Sequence, residues 1–98
     1  MILFGDINKG VKEYKSTTGA VLVDVRERTE FASGHIMGAI NEPLSMIPKT
    51  SLPKEVPLFL YCLRGSRSRK AASILKKMGY EKVKSIGGIN RYKGELVR

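Results

Sequence analysis

The chain alternates between two hydrophobic periods. Ala20-Val21-Leu22-Val23-Asp24-Val25 is a nearly continuous, β-branched apolar run, the pattern of a strand buried on both faces of a parallel sheet. Leu58-Phe59-Leu60-Tyr61 repeats that pattern, with Pro57 at its start where a missing N–H is tolerated, and it leads directly into Cys62. Residues 35–40 and 83–86 read as two further short strands. Between them the period lengthens. Asp6 is a candidate N-cap for a helix carrying Ile7, Val11 and Tyr14, weakened by Gly10 and fading near Thr17-Thr18-Gly19. Residues 28–33 suit a short helix closed by Gly34. From Arg67 onward, Ala71, Ala72, Leu75 and Met78 form a helical stripe ended by Gly79, with Lys76 and Lys77 in the last turn. Residues 42–57 contain Pro43, Pro48 and Pro53, so this stretch is expected to be loop with at most a turn or two of helix. A short helical segment is expected after Gly87-Gly88. Strands alternating with helices predict an α/β domain whose central, mostly parallel sheet is flanked by helices in three layers.

Composition narrows the class. At 98 residues there is room for one domain, residues 1–98, with a core large enough to fold without disulfides or metal. The single cysteine cannot form an internal disulfide, and one Cys with one His supplies too few ligands for a structural zinc site. No cofactor is implied. No run approaches the ~20 apolar residues that cross a membrane. The opening Met1-Ile2-Leu3-Phe4 is too short for a secretory apolar region, so the expected compartment is the cytoplasm. The net charge of +9 favours encounter with small anions. The basic residues are spread without an Arg-rich tail or an aromatic-basic platform, the distribution of a solvated face rather than a nucleic-acid surface.

The chemistry concentrates in Tyr61-Cys62-Leu63-Arg64-Gly65-Ser66-Arg67-Ser68. A buried strand ends, a short glycine-bearing loop follows, and a helix begins. Successive N–H groups of such a loop point inward, and the helix N-terminus adds a positive partial charge. In open α/β sheets this is the strand end at which ligands bind. Gly65 permits the conformation of a tight cradle. A cysteine at a helix N-terminus beside arginines, here Arg64 and Arg67, is of the kind that ionises readily and becomes nucleophilic. A lone cysteine is otherwise usually an inert buried residue. The strand-end position, the two arginines and the helix favour the reactive reading.

Three motifs in order carry a family resemblance. Asp24-Val25-Arg26-Glu27 with Glu30-Phe31, followed by Gly34-His35-Ile36-Met37-Gly38-Ala39-Ile40-Asn41, resembles the first signature of the rhodanese superfamily. Residues 62–68 are similar to its active-site loop, and Gly87-Gly88 with Tyr92 resembles its closing motif. Met37 stands where proline is usual, Glu42 where an apolar residue is common, and Tyr92 where tryptophan is usual. None of these touches the cradle.

The resemblance implies a sulfurtransferase. Cys62 would take the outer sulfur of an anionic donor such as thiosulfate, a polysulfide or a persulfide. It would then pass that sulfur to cyanide, a thiol or a protein sulfur acceptor. The N–H groups of Leu63, Arg64, Gly65, Ser66, Arg67 and Ser68 would hold the persulfide, and Arg64 and Arg67 would bind the sulfonate. With no second cysteine, the acceptor must come from outside. Cysteine phosphatases sharing this fold place Arg six residues after Cys. Here that position is Ser68 and Arg67 lies five after Cys62, a shorter loop that argues against phosphatase or arsenate reductase activity. A carrier or regulatory module read by a protein partner is the alternative. Asp24, Arg26 and Glu30 are expected to form a supporting ion-pair and hydrogen-bond network, His35 to be a hydrogen-bonded structural residue and Tyr92 to pack. Ser66 and Ser68 are expected to reach the sulfur or cap the helix.

Overall fold

The computed structural model describes residues 6–98; the reading of Met1-Ile2-Leu3-Phe4 lies outside the described residues. Helix α1 spans Ile7–Lys15 and is capped by Asp6, whose carboxylate accepts the Asn8 N–H at 3.0 Å. Gly10 sits there because any Cβ would collide with the Ile86 side chain, so the residue that weakens the helix permits its close approach to the sheet. Strand β1 covers Val21–Asp24, helix α2 Arg28–Ser33, β2 His35–Ile36, β3 Ile40–Asn41, β4 Leu58–Cys62, helix α3 Ser66–Lys77, β5 Val83–Gly88 and β6 Leu96–Val97. A 3-10 helix at Leu44–Lys49 supplies the turn expected in the proline-rich stretch, and another occupies Ile89–Arg91.

The central sheet has the order β3-β1-β4-β5 with every pairing parallel, which is the α/β architecture expected from the alternating pattern. The second strand differs from expectation. Residues 35–40 divide at Gly38, where φ is +93° and the Ala39 N–H bonds to the Ile36 carbonyl in a turn. β3 therefore joins the central sheet, while β2 pairs antiparallel with β6, a C-terminal strand beyond the expected helical turn.

Strand period sorts the core into two layers. Leu58, Leu60 and Cys62 of β4 face Ala71, Ala72 and Leu75 of α3, together with Val23, Val25 and Ile47. Phe59 and Tyr61 face the opposite layer, with Ile7 and Val11 of α1, Leu22, Ile36 and Ile86. The alternation that buries β4 on both sides thus fixes the Cys62 side chain on the α3 side. It also places that side chain at the carboxyl end of the sheet.

Candidate active site

β4 delivers Cys62 to the carboxyl end of the sheet, where Leu63, Arg64 and Gly65 turn the chain into α3. Gly65 has φ of +107° and is the N-cap of α3, a left-handed conformation that strongly favours glycine. The turn folds the first N–H groups of the helix back over the sulfur. Cys62 Sγ accepts the Gly65 N–H at 3.0 Å and the Ser68 N–H at 3.3 Å, and the residue is 1% exposed. The cradle rests on the end of β5. A Cβ on Gly88 would strike the Leu63 carbonyl and Arg64 Cα, and the Asn90 N–H bonds to that same carbonyl at 3.1 Å.

Ser68 is fully buried beneath the sulfur. Its Oγ lies 3.7 Å from Sγ, donates to the Gly65 carbonyl at 3.1 Å, and lies 2.7 Å from Ser85 Oγ of β5. Because the Ser68 hydroxyl has one proton, Ser85 is the donor between the two. Ser66 is exposed on the outer face of the first turn, and among the described residues its hydroxyl bonds neither to the sulfur nor to the helix end. The two serines that the sequence left equivalent are therefore distinct.

The two arginines also part company. Arg67 forms a bidentate pair with Glu30, at 2.7 and 3.0 Å, and is largely neutralised by it. These bonds hold the Glu30 carboxyl down to about 2, against partial burial. They likewise raise the Arg67 pKa against burial, with negative charge at Cys62 adding to the effect. Glu30 also accepts the Glu27 N–H at 2.9 Å, completing a capping box on α2. Arg64 is exposed, and among the described residues its guanidinium has no partner.

The supporting network reads differently from expectation at Glu30, whose partner is Arg67 rather than the Asp24–Arg26 pair. Asp24 is fully buried and Arg26 is 5% exposed; the guanidinium grips both carboxylate oxygens at 2.7–3.0 Å. Arg26 Nη2 continues to the Gly34 carbonyl at 2.7 Å, and Asn41 Nδ2 binds the carbonyls of both Asp24 and Arg26. Burial disfavours the Arg26 charge, yet the Asp24 contacts raise its pKa. Burial pushes the Tyr61 phenol up in turn, and its oxygen accepts the Ile36 N–H at 3.1 Å. His35 is committed elsewhere: Nδ1 lies 2.9 Å from the Phe31 carbonyl and its ring stacks on Phe31 at 3.6 Å. Tyr92 packs against the α1-side core. No cluster of metal-ligating side chains occurs among the described residues, and no described helix is long and apolar enough to cross a membrane.

The arrangement can hold a compact anion against a sulfur by backbone donors, with the exposed Arg64 at the rim. A family model described as Rhodanese-like domain matches residues 8–95. The chain belongs to this family. This rhodanese-like domain is 40% identical over 80 residues to an uncharacterized Bacillus subtilis protein, YqhL, the match covering 79% of this chain and 64% of that one. It thus spans just under two thirds of that relative's length. It is 37% identical over 71 residues to the thiosulfate sulfurtransferase PspE of Escherichia coli, covering 68% of each. A solved rhodanese with anions from E. coli superposes on the rhodanese-like domain with a TM-score of 0.71 at 31% identity. That match covers 82% of this chain and 99% of the other.

Proposed function

We propose that this chain, as one rhodanese domain, is a sulfurtransferase that carries sulfane sulfur on Cys62 from an anionic donor of the thiosulfate class to an external acceptor. The carrying observation is the pair of N–H donors, Gly65 and Ser68, aimed at a sulfur seated at the N-terminus of α3. The Cys62 thiolate attacks the outer sulfur of thiosulfate. The S–S bond breaks, sulfite leaves with the electron pair, and Cys62 holds a persulfide. Cyanide or a thiolate then attacks the outer sulfur, the new S–S bond breaks, and the Cys62 thiolate is restored.

The persulfide carries its charge on the outer atom, and first-turn N–H groups lacking helical partners are its natural donors. Those of Ser66 and Arg67 belong to that first turn. Arg64, unpaired at the rim, is the better sulfonate ligand, because Arg67 already serves Glu30. The name of the E. coli relative supports thiosulfate as donor. The five-position span from Cys62 to Arg67 supports sulfur over phosphate, since a tetrahedral phosphate needs a wider loop.

The test is thiosulfate-dependent thiocyanate formation by wild type and Cys62→Ser, with intact-mass measurement after thiosulfate exposure. Turnover and a one-sulfur mass gain only in the wild type are expected. Neither signal in the wild type would sink the reading.

A further inference from the structure

Arg67 is the second residue of α3, and the N–H of its neighbour Ser68 bonds to the Cys62 sulfur at 3.3 Å. Its guanidinium responds to negative charge at Cys62, so it lies within electrostatic reach of the loop. A free arginine there can close on an anion arriving at the sulfur. Glu30 claims it instead, with Nη1 and Nη2 each donating to one carboxylate oxygen, at 2.7 and 3.0 Å. Such a fork-on-fork pair is directional and strong.

The carboxylate that holds Arg67 is itself fixed. Its Oε1 also accepts the Glu27 N–H at 2.9 Å, within the capping box of α2, so Glu30 cannot follow Arg67 toward the loop. With its carboxyl held down to about 2, Glu30 is ionised throughout the neutral range. Arg64 is placed differently. It is exposed, and among the described residues it has no hydrogen-bond or ion-pair partner. One arginine of the loop is offered to solvent and the other is withheld.

The difference bears on the product as much as on the donor. When the S–S bond of thiosulfate breaks, its sulfonate end becomes sulfite, which keeps all three oxygens and must leave. Sulfite that stays can attack the outer sulfur of the persulfide, reforming thiosulfate and returning the Cys62 thiolate. A grip shared by donor and product lowers KM without raising kcat, and it delays release.

We propose that Glu30 is a positioning residue for the donor site: it holds the Arg67 guanidinium away from the loop mouth, so that Arg64 alone meets the sulfonate and sulfite departs readily. The proposal rests on the sulfur-transfer reading for the identity of donor and product, whereas the hold on Arg67 needs no reaction.

Sulfate, which shares those oxygens and donates no sulfur, is the probe. Titrations at low ionic strength, read by amide NMR shifts of the Cys62 loop, should show about tenfold tighter binding in Glu30→Gln than in wild type. The gain should vanish in Glu30→Gln/Arg67→Gln. Glu27→Gln removes another carboxylate near Arg67 but leaves the pair intact, so its gain should be slight. In turnover, Glu30→Gln should show a lower KM for thiosulfate and stronger inhibition by sulfite, with no rise in kcat. A tie that merely braces α2 against α3 predicts sulfate affinity at or below that of wild type, and this result overturns the proposal. An equal gain in Glu27→Gln, or a gain that survives the loss of Arg67, overturns it as well. Glu30→Asp, whose carboxylate is one methylene shorter, should show a smaller gain of the same sign and serves if Glu30→Gln folds poorly. Thiosulfate turnover with no sulfate gain sinks the role of Glu30 and leaves sulfur transfer standing. A sulfate gain in a protein that never turns over thiosulfate supports the hold on Arg67 and sinks the transfer reading.

Discussion

Glu30 joins α2 to the Cys62 loop through one carboxylate, accepting from Glu27 and gripping Arg67. Its proton is held up to about pH 4.5 in an unfolded chain, but only to about 2 when folded. A depressed carboxyl contributes stability that is complete above the unfolded value and lost as pH falls through the folded one. Discounted for the partial exposure of the pair, the contribution is about 1–2 kcal/mol. Glu30→Gln should therefore be less stable than wild type by that amount at neutral pH, with the gap closing between about pH 4.5 and pH 2. Chemical denaturation across that range measures it, and a pH-independent gap contradicts the account. Ser85→Ala removes the donor that orients Ser68. One hydrogen bond is worth about 0.5–1.5 kcal/mol, so persulfide formation should slow by about two- to tenfold, with Ser85→Thr retaining most of the rate. Stopped-flow reaction with thiosulfate reads this; an unchanged rate would remove Ser85 from the cradle's support. Asp24→Ala strands a buried guanidinium and should cost about 3–5 kcal/mol in urea unfolding.

At the scale of elements, β4 was legible because five buried residues in a row announce a central strand, and period 2 then decides which face receives Cys62. The cradle was legible for the same local reason: strand, Gly65 and helix are adjacent in sequence. What was not legible came from distant segments. Glu30 and Arg67 are 37 residues apart, and only the docking of α2 beside α3 makes them partners. Ser85 reaches Ser68 because it pairs with Leu60 and, two residues after Val83, faces α3, a cross-strand placement that strand propensity does not announce. The division of residues 35–40 was marked by Gly38, a turn residue inside an apolar run that hydrophobicity alone reads as continuous. Gly88 tests the tight stacking of β5 under the loop. In Gly88→Ala the new methyl meets backbone on two sides, so the loop must move. Thiosulfate turnover should fall far more than global stability; a fully active variant would contradict the stacking.

Over the whole molecule, the net charge of +9 should draw dianionic donors toward the protein. kcat/KM for thiosulfate is expected to fall several-fold from low salt to about 0.5 M, while kcat changes little, because added ions shorten the reach of surface charge. Salt-insensitive kcat/KM would mean that the basic surface plays no part in donor capture. The depth of Cys62 has a different consequence. A disulfide between two copies requires the sulfurs to approach to about 2 Å. Two sulfurs each recessed within their own loop, at 1% exposure, are kept apart because the surrounding loops of two chains meet before the sulfurs do, whereas a small donor enters the loop alone. The protein should therefore resist covalent dimerisation when aged in air, running as a single chain on a non-reducing gel.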